Sequence, residues 1–381
     1  MKNLNILQVV NSPHWHAISS YALGLSKGLK DRGHKVIMAT LSHSLLLERA
    51  IAEGLEVITN LRLNHYNPFY FFTDLKRMTR LLEEEEIDVL NVHESRGFVI
   101  SCLAAKLARR PVVLIRTRGT FMAPKGYLIN RYIHNSLADK VIVASQFMRQ
   151  MCLRHLKGKK SHYLLIYGGV DTEYLKPCQP DVGLKQSLGI EKDAVVIGII
   201  ARFDPVKGHK YFFEAAGRLK KLGAKVNFLA IGYEAEFSGQ QLLAMAEDCG
   251  VKKETVMVKE WSALPGMLSV VDIGIISSIG SEANSRALLE YMACGKPVVS
   301  TAVGVIPEIL KNEVTGYLIP PENPEAMASA LMKLLQNPMK AKEMGSSGRK
   351  IVEERFSQEN LVLQTEKIYT KEWEKKWKDF R

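Results

Sequence analysis

The chain of 381 residues lacks several features that define other classes of protein. It has no run of about 18 apolar residues, so we predict no membrane-spanning helix. Its first residues, 1–6, lead straight into a predicted strand and lack the apolar core and cleavage site of a signal peptide. The five cysteines are scattered, odd in number and never form C-x-x-C, which predicts reduced thiols in a cytoplasmic protein.

Positive charge, in contrast, is in excess, with a formal net charge of +12. Residues 1–175 carry 24 Lys and Arg against 14 Asp and Glu, whereas residues 176–381 carry 28 against 26. We therefore expect an anionic partner for the first half, such as nucleic acid, an anionic bilayer or a phosphorylated acceptor. No nucleic-acid-binding motif is present, so we expect no nucleic acid. Charge that serves solubility alone explains the same numbers equally well.

Short apolar segments alternate with helical stretches along the chain, which predicts α/β domains with parallel sheets. The pattern occurs twice, with strands at 5–10, 35–40, 55–58, 88–92, 111–115, 140–144 and 163–166, then at 195–201, 225–231, 255–258, 273–277, 298–300 and 316–319. Two prolines in the segment 176–180 mark the predicted linker. We expect a domain at 1–175, a second at 176–360 and a terminal helix at 361–381, with ligands beyond the carboxyl ends of the strands.

Two glutamates eight positions apart, Glu282 and Glu290, flank a predicted helix start. Asn284 or Ser285 can cap this helix, whose free N–H groups suit a phosphate, while the carboxylates suit sugar hydroxyls. The alternative is an amphipathic helix with two solvated glutamates. Upstream, Arg202 ends a buried strand and Lys207 follows after a turn. Such a pair can clamp a diphosphate, although isolated surface charges would give the same spacing.

These segments resemble the motifs of glycosyltransferase family 4, which has the GT-B architecture. Residues 282–290 resemble its E-x7-E signature, and 290–299 resemble its "EAMACGxPVV" string. Residues 202–208 are similar to "GRLxxxKG", and 88–93 are similar to "DVVHxH". The resemblance covers nearly the whole chain. It implies two Rossmann-like domains that face each other across a cleft, a terminal helix that crosses back to the first domain, and retaining sugar transfer.

The resemblance also implies roles for individual residues. Arg202 and Lys207 would hold the donor diphosphate, Glu290 would accept from the ribose hydroxyls, and Glu282 would contact the transferred sugar. The loop around them would line the donor through Gly280, Ser281, Ala283, Asn284, Ser285 and Arg286. No D-x-D sequence is present to hold a divalent metal on the diphosphate. Since two cations and a helix start can take its place, we expect no metal ion and no cofactor.

The first half departs from the family pattern in two places. Members often place a histidine where this chain has Arg118 or Gly119, which suggests an anion contact instead. Arg116 and Arg118 would share a face if the strand continues that far, whereas a turn at Thr117 would leave only one in the cleft. His93, at the tip of the preceding strand, is either a ligand contact or a structural histidine.

The second departure is in the early loop, where His16 and Ala17 replace the usual Gly-Gly pair and obstruct close backbone approach. His14 or His16 could contact an acceptor group instead. Two aromatic clusters next to basic residues could touch a bilayer or pack in the core: Tyr66 with 69–72, and Phe121 and Met122 with Tyr127 and Leu128. Tyr369, Trp373 and Trp377 share one helical face, for which we expect packing against protein.

The sequence therefore predicts a retaining, metal-independent glycosyltransferase. The expected donor is a UDP- or GDP-sugar, and the expected acceptor is an anionic or membrane-associated glycan or lipid in bacterial envelope polysaccharide or lipopolysaccharide synthesis. A peripheral contact with the inner face of the cell membrane is part of this expectation. Two alternatives remain: a GT-B nucleotide-sugar epimerase, which needs acids and a base beside the sugar, and a non-catalytic nucleotide-sugar binder, which the missing Gly-Gly and His motivate.

Overall fold

The computed structural model describes residues 2–13, 15–63, 68–119, 122–259, 263–280 and 282–380. The chain forms two compact units: Met1–Gly169 with Gln358–Arg381 (unit 1), and Val170–Ser357 (unit 2). The chain thus passes from unit 1 to unit 2 before the predicted linker at 176–180. Val170 already belongs to unit 2, because its N–H donates to the carbonyl of Phe356 at 3.0 Å. The second crossing, after Ser357, precedes the expected boundary at 360.

Unit 1 is built on a seven-stranded parallel sheet. Its strands are β1 (Asn5–Val9), β2 (Lys35–Ala39), β3 (Glu56–Ile58), β4 (Val89–Val92), β5 (Val113–Arg118), β6 (Lys140–Val143) and β7 (Tyr163–Leu165). They lie in the order β3-β2-β1-β4-β5-β6-β7, and the register pairs Ile6 of β1 with both Val36 and Val89. The central strands are buried along almost their whole length, as expected for a parallel sheet covered on both faces.

Helices cover both faces of this sheet. They are α1 (Ala17–Asp31), α2 (Leu45–Ala52), α3 (Pro68–Glu84), α4 (Phe98–Leu107), α5 (Leu128–Tyr132) with the π-helix Ile133–Leu137, α6 (Gln146–Leu156) and α15 (Gln358–Phe380). The last helix packs with α1 in one apolar core, to which Tyr369 contributes a fully buried ring. Trp373 stacks on Trp377 at 5.5 Å. Trp373 also packs against this core, so packing of the aromatic face against protein is confirmed for Tyr369 and Trp373.

Unit 2 repeats the design with six parallel strands in the order β10-β9-β8-β11-β12-β13. The strands are β8 (Val195–Ile200), β9 (Val226–Ile231), β10 (Thr255–Val258), β11 (Ile273–Ile276), β12 (Val298–Thr301) and β13 (Gly316–Ile319). The helices are α7 (Val182–Ser187), α8 (His209–Lys221), α9 (Gly239–Asp248), α10 (Leu264–Val270), α11 (Arg286–Ala293), α12 (Ile306–Ile309), α13 (Pro324–Gln336) and α14 (Pro338–Arg355), with short 3-10 turns at Pro205–Lys207 and Lys252–Glu254.

Both units are Rossmann-like α/β domains, which confirms the predicted fold class. One strand differs in a way that matters for the site. The sequence places its end at 115, but β5 runs on to Arg118 because Thr117 and Arg118 still pair with Ile142 and Val143 of β6. Arg116 and Arg118 therefore lie on the same face of the sheet.

The strand order reverses once in each sheet, between β1 and β4 in unit 1 and between β8 and β11 in unit 2. Parallel sheets bind ligands beyond the carboxyl ends of the strands at such a reversal. The loops that follow these four strands are therefore the expected position of a ligand site. None of the helices in the described residues combines the length and the apolar character that a membrane span requires.

Candidate functional site

At the reversal point of unit 2, the loops after β8 and β11 are bonded to each other. The hydroxyl of Ser277 donates to the carbonyl of Lys207 at 2.8 Å, and the N–H of Ile279 donates to the carbonyl of Val206 at 2.9 Å. Gly208 makes this contact possible. Its φ is +68°, and a Cβ there would lie 2.0 Å from the carbonyl oxygen of Ser277. The two loops consequently form one rigid platform.

Arg202 stands at the edge of this platform with its side chain 44% exposed. Its Nη2 contacts Oδ2 of Asp204 at 2.9 Å, while Oδ1 of Asp204 accepts from the N–H of Val206 at 3.0 Å. Asp204 thereby fixes both the guanidinium and the 3-10 turn that carries Lys207. Within the described residues the fork of Arg202 is only partly used, so donors remain for an anion.

Lys207 and Glu282 are the centre of the arrangement. The Nζ of Lys207 lies 2.5 Å from Oε1 of Glu282, and the hydroxyl of Ser278 donates to the same oxygen at 2.7 Å. The backbone of Glu282 is also held, because its carbonyl accepts from the N–H of Val305 at 2.9 Å. Both side chains are largely buried. The structure thus brings together the cation and the carboxylate that the sequence places in separate motifs.

Glu290 lies on α11 and is buried to 5% exposure. Its Oε1 accepts from Nε of Arg286 at 2.6 Å, one helical turn earlier, and the side chain of Arg286 is itself 43% exposed. Among the residues that the structure describes, this bond leaves the other carboxylate oxygen of Glu290 available as an acceptor for hydroxyls.

The start of α11 differs from the expected cap. Ser285 occupies the N-cap position, but its φ is +39° and its side chain makes no capping hydrogen bond. The expectation that Asn284 or Ser285 caps through its side chain is therefore wrong. Within the described residues, Oδ1 of Asn284 and Oγ of Ser285 are buried without a hydrogen-bond partner. Buried polar groups are rarely left unpaired, so these two atoms indicate a place for a ligand.

The prediction also includes Gly280, Ser281 and Ala283 of this loop. Ala283 and Gly280 are half-buried, and a Cβ at Gly280 would lie 3.8 Å from Val206. Ser281 lies outside the described residues, as do His14, Tyr66 and Phe121.

In unit 1, His16 follows the reversal point and has structural partners. Its Nδ1 accepts from the N–H of Ser19 at 3.3 Å, which makes it the N-cap of α1. Its Nε2 lies 2.7 Å from Oγ of Ser12 and 3.3 Å from Oε1 of Glu94. The ring is therefore engaged with its own loop, and an acceptor contact by His16 stays a prediction.

His93, at the end of β4, is completely buried. Its Nε2 lies 2.7 Å from Oε1 of Gln8, and Asn91, 3.2 Å away, donates to the hydroxyl of Tyr369 at 2.6 Å. Burial, aided by the charge of Arg116, lowers the pKa of His93 to about 3. This neutral, enclosed ring favours the structural alternative over a ligand contact.

The burial of Arg116 and Arg118 in unit 1 is unusual for arginine, since both side chains are almost fully buried. Nη1 of Arg116 donates to the carbonyls of Val92 and Thr117 at 2.7 Å each, and Nη2 of Arg118 donates to the carbonyl of Met122 at 3.2 Å. Among the described residues, neither forms an ion pair with a carboxylate. Burial lowers the pKa of Arg116 to about 9 and also lowers that of Arg118. Arg116 thus has a structural environment, while the uncompensated charge favours an anion near Arg118.

Sequence reasoning missed Asp204 and Ser278 as parts of the site. Asp204 holds Arg202, and Ser278 holds Glu282. Their only sequence signal is position, because each follows a buried strand within four residues and so falls at the ligand-binding edge of the sheet.

Comparison with known families gives two matches. The model described as "Glycosyl transferases group 1" matches residues 183–351, and the model described as "Glycosyltransferase Family 4" matches residues 18–174. Together they cover most of both units.

Two curated relatives are similar over different lengths. The N-acetyl-alpha-D-glucosaminyl L-malate synthase of Bacillus anthracis is 25% identical over 361 residues, which cover 91% of each chain. The UDP-Gal:alpha-D-GlcNAc-diphosphoundecaprenol alpha-1,3-galactosyltransferase of Escherichia coli is 24% identical and spans 67% of this chain and 68% of its own.

Solved structures share the fold at low sequence identity. A glycosyltransferase from Rickettsia africae has a TM-score of 0.89 at 22% identity and covers 97% of this chain and 99% of its own. The Anabaena protein HepE, in complex with UDP and glucose, has a TM-score of 0.83 at 19% identity and covers 97% and 100%.

Proposed function

Because the chain belongs to glycosyltransferase family 4, we propose that it is a retaining, metal-independent enzyme that uses a nucleoside-diphosphate sugar. The observation that carries this proposal is the Lys207–Glu282 pair, which joins the loop after β8, where Arg202 stands, to the loop before α11, the helix that carries Glu290. Fixed cations, hydroxyl acceptors and free backbone N–H groups suit a ligand that has both a diphosphate and sugars.

The charges would act on the leaving group. When the bond between the anomeric carbon and the donor phosphate breaks, negative charge collects on the nucleoside diphosphate. Arg202, oriented by Asp204, and Lys207, oriented by Glu282, stabilise that charge together with the N-terminus of α11. The acceptor hydroxyl attacks on the face that the diphosphate leaves, and its proton passes to an oxygen of the departing phosphate. This gives retention.

The carboxylates and the unpaired polar atoms would hold the sugars. Glu290 accepts from the ribose hydroxyls through its free oxygen, and Glu282 contacts the transferred sugar. Oδ1 of Asn284 and Oγ of Ser285, buried without partners among the described residues, supply the remaining hydrogen bonds. Ala283, Arg286, Gly280 and Ser281 complete the donor loop. UDP-sugars are the first donors to test, since HepE is solved with UDP and glucose.

For the acceptor, we propose an anionic or membrane-associated glycan or lipid, used in synthesis of an envelope polysaccharide or lipopolysaccharide. The excess of ten positive charges in residues 1–175 supports an anion. The names of two relatives contain malate and a diphosphoundecaprenol lipid. We assign the anion contact to Arg118, with Arg116, on the same face of β5, and the enclosed His93 as positioning residues. His14 and His16 remain candidates for further acceptor contacts.

A thermal-shift panel of UDP, GDP, ADP and their sugars, with and without EDTA, tests the donor site. A ligand that binds the folded state raises its unfolding midpoint, and we expect UDP to do so equally with EDTA. Arg202→Ala and Glu290→Ala should abolish the shift. Arg218→Ala is the matched control, because Arg218 is similarly exposed at 46% and also contacts one carboxylate, that of Glu325. A normal shift in both site variants would refute the assignment.

A second measurement tests the reaction itself. Donor and a panel of phosphorylated and lipid-linked acceptors are incubated together, and the product anomer is read by NMR. Retention with EDTA present supports the proposal. Conversion of the donor alone to an epimer, or binding without turnover across the panel, would contradict it.

A further inference from the structure

An exposed apolar cluster lies on one side of unit 1. Five side chains in and before α5 are between 58% and 80% exposed: Met122, Tyr127, Leu128, Ile129 and Tyr132. Exposed leucines and isoleucines occur singly on most proteins, but five large apolar residues within eleven positions form a patch. The two tyrosines suit a boundary between water and apolar material, since their rings carry a polar tip.

Basic residues surround this patch. Residues 119–163 contain eight Lys and Arg and a single acid, Asp139. The acid is engaged elsewhere, because its Oδ2 accepts from Lys376 at 2.5 Å and from the N–H of Leu114 at 2.7 Å. Five of the basic side chains are exposed, namely Lys125, Arg154, Lys157, Lys159 and Lys160.

The fold holds the basic segment 154–160, which is the end of α6 and the residues after it, against the apolar segment. Nε of Arg131 donates to the carbonyl of His155 at 3.3 Å, and Nδ2 of Asn135 donates to the carbonyl of Leu156 at 2.8 Å. A Cβ at Gly126 would lie 2.9 Å from the carbonyl oxygen of His155. The positive charges and the exposed apolar side chains therefore belong to one continuous surface.

We propose that this surface, the five apolar residues with the basic segment 154–160, docks unit 1 on an anionic lipid bilayer. Apolar side chains enter the boundary between headgroups and acyl chains, and the lysines attract anionic headgroups; stable attachment needs both signals. The proposal deepens the proposed function, because a lipid-linked acceptor resides in such a bilayer.

The other aromatic cluster of unit 1 lacks this charge pattern. Phe69 and Phe72 on α3 are 72% and 66% exposed. However, the same stretch of α3 carries Glu83 and Glu84 as well as Lys76 and Arg80, so its charge is balanced. An anionic bilayer would be attracted only weakly to a surface of balanced charge, so we assign the docking role to the α5 surface.

Vesicle flotation of the full chain tests the proposal without donor or acceptor. We expect binding to vesicles of phosphatidylcholine with about 30% phosphatidylglycerol, because the anionic lipid gives the vesicle a negative surface potential. We expect little binding to phosphatidylcholine alone. Binding should weaken as salt rises. The double variant Leu128→Ser/Ile129→Ser and the triple variant Lys157→Glu/Lys159→Glu/Lys160→Glu should each reduce the partition coefficient roughly tenfold or more.

Leu222→Ser is the matched control, because the side chain of Leu222 is as exposed as that of Ile129, at 65%, but lies in unit 2. It should bind vesicles like the wild type. Unfolding midpoints and the UDP-induced shift show that each variant is folded with an intact donor site. If UDP binding fails while vesicle binding holds, the proposed function is wrong and this surface stands. If wild type ignores anionic vesicles, if the variants bind normally, or if the apolar variant instead dissociates a dimer in light scattering, the docking proposal is overturned.

Discussion

Lys207 and Glu282 are 75 residues apart in sequence, yet the Nζ of one lies 2.5 Å from Oε1 of the other. The bond joins the loop after β8 to the loop before α11. In the reaction that we propose, this carboxylate keeps the ammonium in place before the diphosphate binds, so little reorganisation is needed when negative charge develops.

This pair should contribute to stability as well as to binding. Lys207→Met leaves a largely buried carboxylate with the hydroxyl of Ser278 as its remaining hydrogen-bond donor in the described structure. We expect the free energy of unfolding to fall by about 3 kcal/mol in urea titrations. Lys252→Met is the control, since its pair with Glu247 is about half exposed on both sides and should cost less than about 1 kcal/mol. Equal losses in both variants would show that the Lys207–Glu282 pair has no special role.

Gly208 should tolerate no side chain. Gly208→Ala places a Cβ 2.0 Å from the carbonyl oxygen of Ser277 and also strains a residue with φ of +68°. Gly223 has a similar φ of +80°, but nothing lies within 4 Å of its Cβ position. We expect Gly223→Ala to cost about 1 kcal/mol for the backbone alone. Gly208→Ala should lower the free energy of unfolding by at least about 3 kcal/mol and abolish UDP binding, because the loops after β8 and β11 must move apart. Similar unfolding curves for the two variants would contradict the packing described.

Unit 1 should lose stability in mild acid because of two buried histidines. Burial lowers the pKa of His93 to about 3, and burial, opposed by the Asn130 carbonyl, lowers that of His134 to about 4. In the folded protein both pKa values lie below the unfolded pKa of about 6.5. Between these pH values the unfolded chain therefore binds protons that the folded chain does not bind. Stability is complete above pH 6.5 and falls toward pH 4, by up to about 1.4 kcal/mol per pH unit for each histidine.

The slope of the unfolding midpoint between pH 6.5 and 4 is the measurement for this prediction. His93→Gln and His134→Gln should each flatten it, whatever their effect on stability at neutral pH. His43→Gln, at an exposed position, is the control. An unchanged slope in the first two variants would mean that these rings are protonated in the folded state.

The terminal helix should depend on Asp88. The carboxylate of this buried residue accepts from Nζ of Lys2 at 3.3 Å, the N–H of Asn5 at 3.0 Å, Nη2 of Arg110 at 3.1 Å and Nε1 of Trp373 at 3.0 Å. Asp88→Asn removes the charge and turns amide hydrogens toward donors. We expect a loss of about 3 kcal/mol and faster amide exchange in α15. Trp373→Phe removes one donor and should cost only about 1 kcal/mol. If amide exchange in α15 is as slow in Asp88→Asn as in the wild type, Asp88 does not stabilise the terminal helix.

Most of the fold was predictable because its signal is local. Runs such as Val195–Ile200 and Ile273–Ile276 are apolar, short and bounded by turns, and the structure has a strand at each. The end of β5 was not predictable, since Arg116 and Arg118 look like loop residues until β6 pairs with them. A boundary that depends on a partner strand cannot be read from one segment.

The candidate site shows the same division. Arg202, Lys207, Glu282 and Glu290 could be proposed from spacing and resemblance, because their motifs are contiguous. The role of Asp204, the contact of Ser278 and the missing side-chain cap at Ser285 depend on loop conformation, which residue preferences specify weakly.

The amino-acid sequence alone determined the alternation of strands and helices and the chemistry carried by the loops, because backbone periodicity and side-chain type are properties of each segment. Only the tertiary structure decided that Lys207 meets Glu282, that His93 is enclosed beside Gln8 and that Arg131 of α5 contacts the basic segment 154–160. Those contacts join distant segments, and their geometry follows from sheet order and packing rather than from any local preference.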